Sequence, residues 1–459
     1  MKLKLIGNKA FYLSVLTIAL PIMLQNAVTS FVGLLDNLMV GRLGTLPMSG
    51  VSVVNTLLNI FYLITYATIN ASGLFLAQYC GKEDHEGMAN CFRIKIYTTI
   101  ILLVIGLVVF GCFGRKLIAL YLLNNSADVI DTTLVIALSY LKIMLVGLVP
   151  FVFYCCISFS LRETGETVLP MVASITAVIV NLVLNYCLIF GHFGFMALGS
   201  DGAAYATVVS RFVELFIVLF FMFLNRDKVH FLDGLLSRVS VPMDLLQNII
   251  IKGGPLVLNE VFYAVGMAAV SQCYSYRGID AVAAANITTT ISNLSSVATI
   301  AMGNAIAIMV GQRLGAGEIE KAKEIDNQLI FFSFCLNILV GFVLYLLSPL
   351  IPQLYNTSDE IRMIARRMIV VLALYQPIMS LYISSYFTVR SGGNTMLTFV
   401  FDGFFTVLVS LPVAFTLSHF TGLGIVEIYL ITLMADLIKA FLGIYLILKG
   451  GWAKNIINN

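Results

Sequence analysis

Charge is what this chain has least of. Asp, Glu, Lys and Arg together supply 11% of its 459 residues, while hydrophobic residues supply 59%, a balance foreign to water-soluble domains. No stretch between the apolar runs is long enough to fold as a soluble domain. None holds a Rossmann fingerprint, a metal-ligand run or a Ser/His/Asp grouping, so the sequence does not point to an enzyme or to a cofactor. The segment GQRLGAGE, with Gly311, Gly315 and Gly317, lacks the Lys and Ser or Thr of a phosphate-cradling loop. That argues against primary ATP pumping and leaves an ion gradient as the energy source. The eight cysteines form no CxxC and read as buried or interfacial free thiols. His85, His192, His230 and His419 fall in loops or span ends and are assigned nothing. The net charge of +3 gives no reason to expect a nucleic-acid partner.

What is present is a series of long apolar runs, near residues 12–40, 46–79, 93–113, 132–160, 168–190, 202–224, 247–274, 281–310, 325–347, 361–389, 395–417 and 424–449. Each is long enough to cross a bilayer as a helix, and continuous runs of this length do not read as the short alternating strands of a membrane barrel. The expected fold is therefore an all-α integral membrane protein with twelve transmembrane helices. The first run lacks a cleavage site and continues past signal-peptide length, so it reads as a retained helix. With both termini in the cytoplasm, seventeen Lys and Arg flank the inner ends of the spans, among them Lys2, Lys4, Lys95, Lys228 and Arg238, and seven flank the outer ends. That imbalance is the positive-inside pattern and fits a multi-pass protein of the cell membrane.

The chain also resembles itself. At an offset of 234, Pro21 falls on Pro255, Gln78 on Gln312 and Gly81 on Gly315; at 228, Tyr154 falls on Tyr382, Arg162 on Arg390 and Thr167 on Thr395. Two six-helix repeats follow, residues 1–224 and 247–459, and they must be parallel because each begins on the same side. The polar segment 225–246, broken by Gly234 and Pro242, reads as a cytoplasmic linker.

Polar groups inside the spans carry the chemistry. Asp36 sits in the first apolar run, roughly 8 Å from its outer end. An acid there is a functional candidate by default. Asn181 and Asn185 lie one turn apart in the fifth run and Thr207 at a similar depth in the sixth, so four oxygen-bearing side chains meet in the outer half of the membrane. One carboxylate, two amides and a hydroxyl suit Na⁺, or a proton on a desolvated carboxyl. Glu260 falls near the midplane of the seventh run; with Tyr263, Tyr375, Tyr382 and Tyr386 it could attract an organic cation, although such tyrosines are more often packing. Arg211 with Glu214 and Asp436 with Lys439 are spaced to neutralise each other on a helix face, and Asp402 reads as a coupling group on the cytoplasmic side or, in preference, as a helix-end charge.

These residues, with ALPIMLQN in the first run, GQRLGAGEIEKAKE after the eighth, SLRETGET and TVRSGGNT after the fourth and tenth, VNLVLNY in the fifth and GAAYAT in the sixth, resemble the multidrug and toxic compound extrusion (MATE) family of the larger flippase superfamily. The resemblance implies a V-shaped pair of six-helix bundles that exports cationic or zwitterionic drugs by alternating access, driven by Na⁺ or H⁺; the chain is expected to work as a monomer. It also implies an ion site at Asp36, Asn181, Asn185 and Thr207. In the second half the chain departs from the pattern: Tyr263 and Met379 stand where related members carry acids, while Glu260 lies one turn earlier. A flippase for lipid-linked oligosaccharide or peptidoglycan precursors is the alternative, disfavoured by the scarcity of mid-span cations beyond Lys142 and Arg211.

Overall fold

The computed structural model describes residues 5–122, 127–226, 229–233, 240–355 and 357–457. Lys2, Lys4, Lys228, Gly234 and Arg238, which entered the charge count and the linker reading, lie outside the described residues. Among the described residues twelve helices are long and apolar enough to cross a membrane: α1 Lys9–Gly41, α2 Thr45–Gly81, α3 His85–Leu122, α4 Ala127–Glu163, α5 Val168–Phe190, α6 Ser200–Leu224, α7 Met243–Tyr274, α8 Ile279–Gly315, α9 Ile319–Leu347, α10 Asp359–Ser391, α11 Thr395–Phe420 and α12 Ile425–Lys449. There is no strand among the described residues, as expected where lipid forbids unpaired backbone groups. α3 and α9 leave stripes such as Ile101, Val104, Ile105 and Val108, and Leu339, Phe342, Val343 and Leu346, uncovered by protein. In a membrane span such faces meet lipid. All eight cysteines are free thiols, five of them buried.

The chain divides into two compact units that do not follow chain order. One comprises residues 24–76 and 85–246; the other comprises 1–23, 77–84 and 247–459. α1 is thus shared, changing units between Met23 and Leu24, two residues after its internal Pro21. In the second unit Val15 and Ala19 of α1 are fully buried against Met302, Ala305, Ile306 and Val310 of α8.

α2 and α8 meet in that same unit by reciprocal contacts. A Cβ on Gly81 would stand 1.8 Å from the Gln312 carbonyl oxygen, and a Cβ on Gly315 would stand 1.8 Å from that of Gln78. Only glycine permits backbones this close. Because the repeat pairs Gly81 with Gly315 and Gln78 with Gln312, the contact has the self-complementary form of a local two-fold axis. The Gln78 side chain also accepts from the Ile456 N–H at 2.8 Å and donates to the Ser391 carbonyl at 3.2 Å, tying down the C-terminal segment.

Candidate functional site

In the first unit, α5 and α6 lie against each other because Gly202 leaves room for the Leu188 carbonyl, 2.5 Å from where its Cβ would be. That approach sets Asn181 and Asn185 of α5 beside Thr207 of α6, with Asp36 of α1 facing them. Asn185 Nδ2 donates to Asp36 Oδ1 at 2.7 Å and to Asn181 Oδ1 at 3.0 Å, and Asn181 Nδ2 faces Thr207 Oγ1 at 3.4 Å. Thr207 spends its hydrogen on the Ala203 carbonyl at 3.0 Å, leaving its lone pairs toward the cluster. All four residues expected to meet are therefore together.

Two features define what this cluster can do. The end of the Asn181 amide nearest Asp36 lies 3.0 and 3.2 Å from its two oxygens; with nitrogen there it donates to the carboxylate, and with oxygen there three acceptors crowd together. Asn185 Oδ1 is buried without a hydrogen-bond partner. A half-buried carboxylate beside two buried amides, with an orphaned carbonyl oxygen and no ion-pair partner among the described residues, is chemically suited to a hard cation or an added proton.

Below it runs a second network that sequence reasoning missed except for Arg211 and Glu214. Gln25 Nε2 donates to Ser174 Oγ at 2.7 Å and to the Tyr154 hydroxyl at 3.2 Å. Arg162 Nη2 donates to Gln25 Oε1 at 2.5 Å. Ser174 hydrogen-bonds Glu214, which pairs with Arg211 at 3.2 Å, and the Arg211 guanidinium lies 4.8 Å from the Phe151 ring centroid. The repeat held the signal, since Tyr154 and Arg162 both have counterparts in the second half. Lys95, counted above as a charge at a span end, is fully buried and paired with Glu163, with Ser160 Oγ at 3.1 Å. Its ammonium answers a buried carboxylate rather than the membrane surface.

In the second unit Tyr375, Tyr382 and Tyr386 lie in one buried cluster with Phe401 and Met379, and half-buried Tyr263 is close enough to Tyr375 and Tyr382 to act on them electrostatically. Glu260 is half-buried on α7, and the charges acting on it are Arg390 and Asp402. Asp402, read from sequence as a helix-end charge, instead pairs with Lys439 at 3.1 Å, and Lys439 also lies 3.3 Å from Asp436. The foreseen Asp436–Lys439 pair is thus the edge of a larger network.

The described residues thus hold twelve helices able to cross a membrane, with polar clusters inside each of the two compact units. The chain belongs to the MatE family, whose sequence profile matches residues 21–187 and again 255–416, once in each half. It is 26% identical over 414 residues to the probable multidrug resistance protein YoeA of Bacillus subtilis (strain 168), covering 89% of this chain and 87% of that protein. It is 24% identical over 441 residues to the probable multidrug resistance protein NorM of Thermotoga maritima, covering 96% and 93%. Among solved structures it resembles a transporter of the MOP superfamily from Pyrococcus furiosus, with a TM-score of 0.85 at 19% identity over 97% of this chain and 99% of that one. It also resembles an outward-facing multidrug resistance MATE transporter, with a TM-score of 0.85 at 19% identity over 96% of both chains. The protein is therefore a multi-pass membrane transporter of the multidrug efflux family and not an enzyme.

Proposed function

We propose that this chain is a cation-driven antiporter of the cell membrane that exports organic cations by alternating access. The observation that carries this reading is Asp36, a carboxylate inside a span that is held by Asn185 and has no ion-pair partner among the described residues. Asp36, Asn181, Asn185 and Thr207 bind the coupling ion, and their all-oxygen acceptor set, with the orphaned Asn185 Oδ1, favours Na⁺ over H⁺. Ion binding neutralises Asp36 and alters the bend of α1 near Pro21, where the helix lacks one backbone hydrogen bond. Substrate then leaves outward.

Glu260, with Tyr263, Tyr375, Tyr382 and Tyr386, recognises the cationic substrate through charge and aromatic faces. Both termini and the 225–246 linker between lobes 1–224 and 247–459 lie in the cytoplasm, and the protein works as a monomer. A carrier of pyrophosphate-linked lipids would need a cluster of uncompensated cations, whereas Lys95, Arg211 and Lys439 are each paired with an acid and Lys142 is exposed on α4. Uptake of a fluorescent organic cation into proteoliposomes, with Na⁺ and pH gradients imposed separately, tests the reading. Transport driven by one gradient supports it and names the ion; no gradient-dependent movement of several cations contradicts it.

A further inference from the structure

Lys439 of α12 is held as a bound ammonium ion would be. Its side chain is 3% exposed, and its Nζ lies 3.1 Å from Asp402 Oδ1 and 3.3 Å from Asp436 Oδ1. It donates to Asp402 Oδ1 and to Thr406 Oγ1 at 3.2 Å, with Asp436 as a second ion-pair partner. The rings of Tyr382 and Phe405 flank it, with centroids at 5.3 and 5.2 Å. The remaining carboxylate oxygens are also taken. Asp402 Oδ2 accepts from Asn259 Nδ2 at 3.3 Å, and Asp436 Oδ2 from the Tyr375 hydroxyl at 2.5 Å.

The backbone is shaped for this. α11 switches to wider i→i+5 turns over Val400–Phe404 and Thr406–Ser410, a local departure that commonly re-aims side chains at functional sites. Asn259 Oδ1 accepts the Gly403 N–H at 2.8 Å within this widened stretch. The repeat sharpens the contrast between halves. At an offset of 228, Lys439 falls on Arg211 and Asp402 on Ser174. In the first half Arg211 is satisfied by Glu214 of its own helix, leaving Asp36 with amides alone. In the second half the tethered cation sits on the acids themselves.

We propose that the Lys439 ammonium is a built-in cation that permanently fills the Asp402–Asp436 carboxylate pair, so that only the first-half cluster exchanges a cation with solution. The proposal rests on the antiport reading above for its role in the cycle. Two neighbouring carboxylates buried without a counter-charge are strongly unfavourable, so the pair needs a cation at all times. A cation on the same chain, one helical turn from Asp436, out-competes a dissolved ion by its effective concentration. Glu260 and the fully buried Asp326 of α9 are then second-half span acids outside that pair, and Glu260 is the one assigned to substrate.

The test counts bound ²²Na⁺ at saturation on purified full-length protein in nanodiscs. Lys439→Gln is expected to bind one more ion per chain than wild type, and adding Asp402→Asn to that variant should remove the extra ion. Lys439→Arg should keep the wild-type count, and so should Asp402→Asn alone, which remains informative if Lys439→Gln does not fold. A folded Lys439→Gln protein with an unchanged count, or a wild-type count that drops by one in Asp402→Asn, overturns the proposal. The wild-type count lost in Asp36→Asn reports on the antiport reading separately, because the difference between Lys439→Gln and wild type does not depend on the first-half site.

Discussion

The Asn185 amide nitrogen donates to Asp36 Oδ1 across 2.7 Å, joining the fifth helix to an acid of the first inside a membrane span. A hydrogen bond to a charged group contributes about 1.5–3 kcal/mol. Replacing Asn185 with Ala removes that donor together with the orphaned Oδ1 that faces no other partner. The half-saturating concentration of the coupling cation should therefore rise roughly 10-fold or more, measured by transport at a series of cation concentrations. An unchanged value would separate Asn185 from the ion site.

Among the described residues, Thr207 touches the cluster only through Asn181, at 3.4 Å. Thr207→Val keeps the shape of the side chain and removes the hydroxyl oxygen, so a smaller rise, about 3-fold, is expected if the ligand is Na⁺. A proton needs only Asp36. An unaltered cation dependence in Thr207→Val alongside a lost response in Asp36→Asn would assign the coupling ion as H⁺.

The reciprocal glycine contact makes a steric prediction. A methyl group on Gly81 or Gly315 would meet a backbone carbonyl oxygen at 1.8 Å, and a backbone group cannot swing aside as a side-chain end can. Gly81→Val and Gly315→Val should each lower the thermal midpoint and transport sharply. Gly111, with open space around its Cβ position, is the control and should tolerate Ala in both assays.

The Lys95–Glu163 pair predicts a non-additive cycle. Lys95 is fully buried, so Lys95→Met takes the opposite charge away from the Glu163 carboxylate and should destabilise the protein by about 3–5 kcal/mol. The double variant Lys95→Met, Glu163→Gln removes both charges and should recover much of that loss. Thermal melts of the two single variants and the double variant check it; strict additivity would mean that the charges do not act on each other.

Much of this was legible in the sequence because lipid imposes simple demands. Twelve apolar runs correspond to twelve helices among the described residues, and the four-residue spacing of Asn181 and Asn185 puts both amides on one helix face. Asp36 stood out because a carboxylate in such a run has few ordinary uses. Depth could be read from helical rise, but rotation about the helix axis could not. Hence Lys95 read as a surface charge, and Asp402 was assigned to a helix end although it faces Lys439 from another helix. Nothing in the sequence of α11 announced its wider turns. Nor did it show that α1 passes from one compact unit to the other just after Pro21.

The most direct test of the account is Asp36→Asn in proteoliposomes. The variant keeps a side chain of the same shape in the hydrogen-bonded cluster and removes only the charge. Efflux driven by the cation gradient should fall at least 10-fold, while equilibrium binding of a fluorescent organic cation to the purified variant stays within about 3-fold of wild type. Gradient-driven efflux at the wild-type rate would contradict the assignment of Asp36 as the coupling residue.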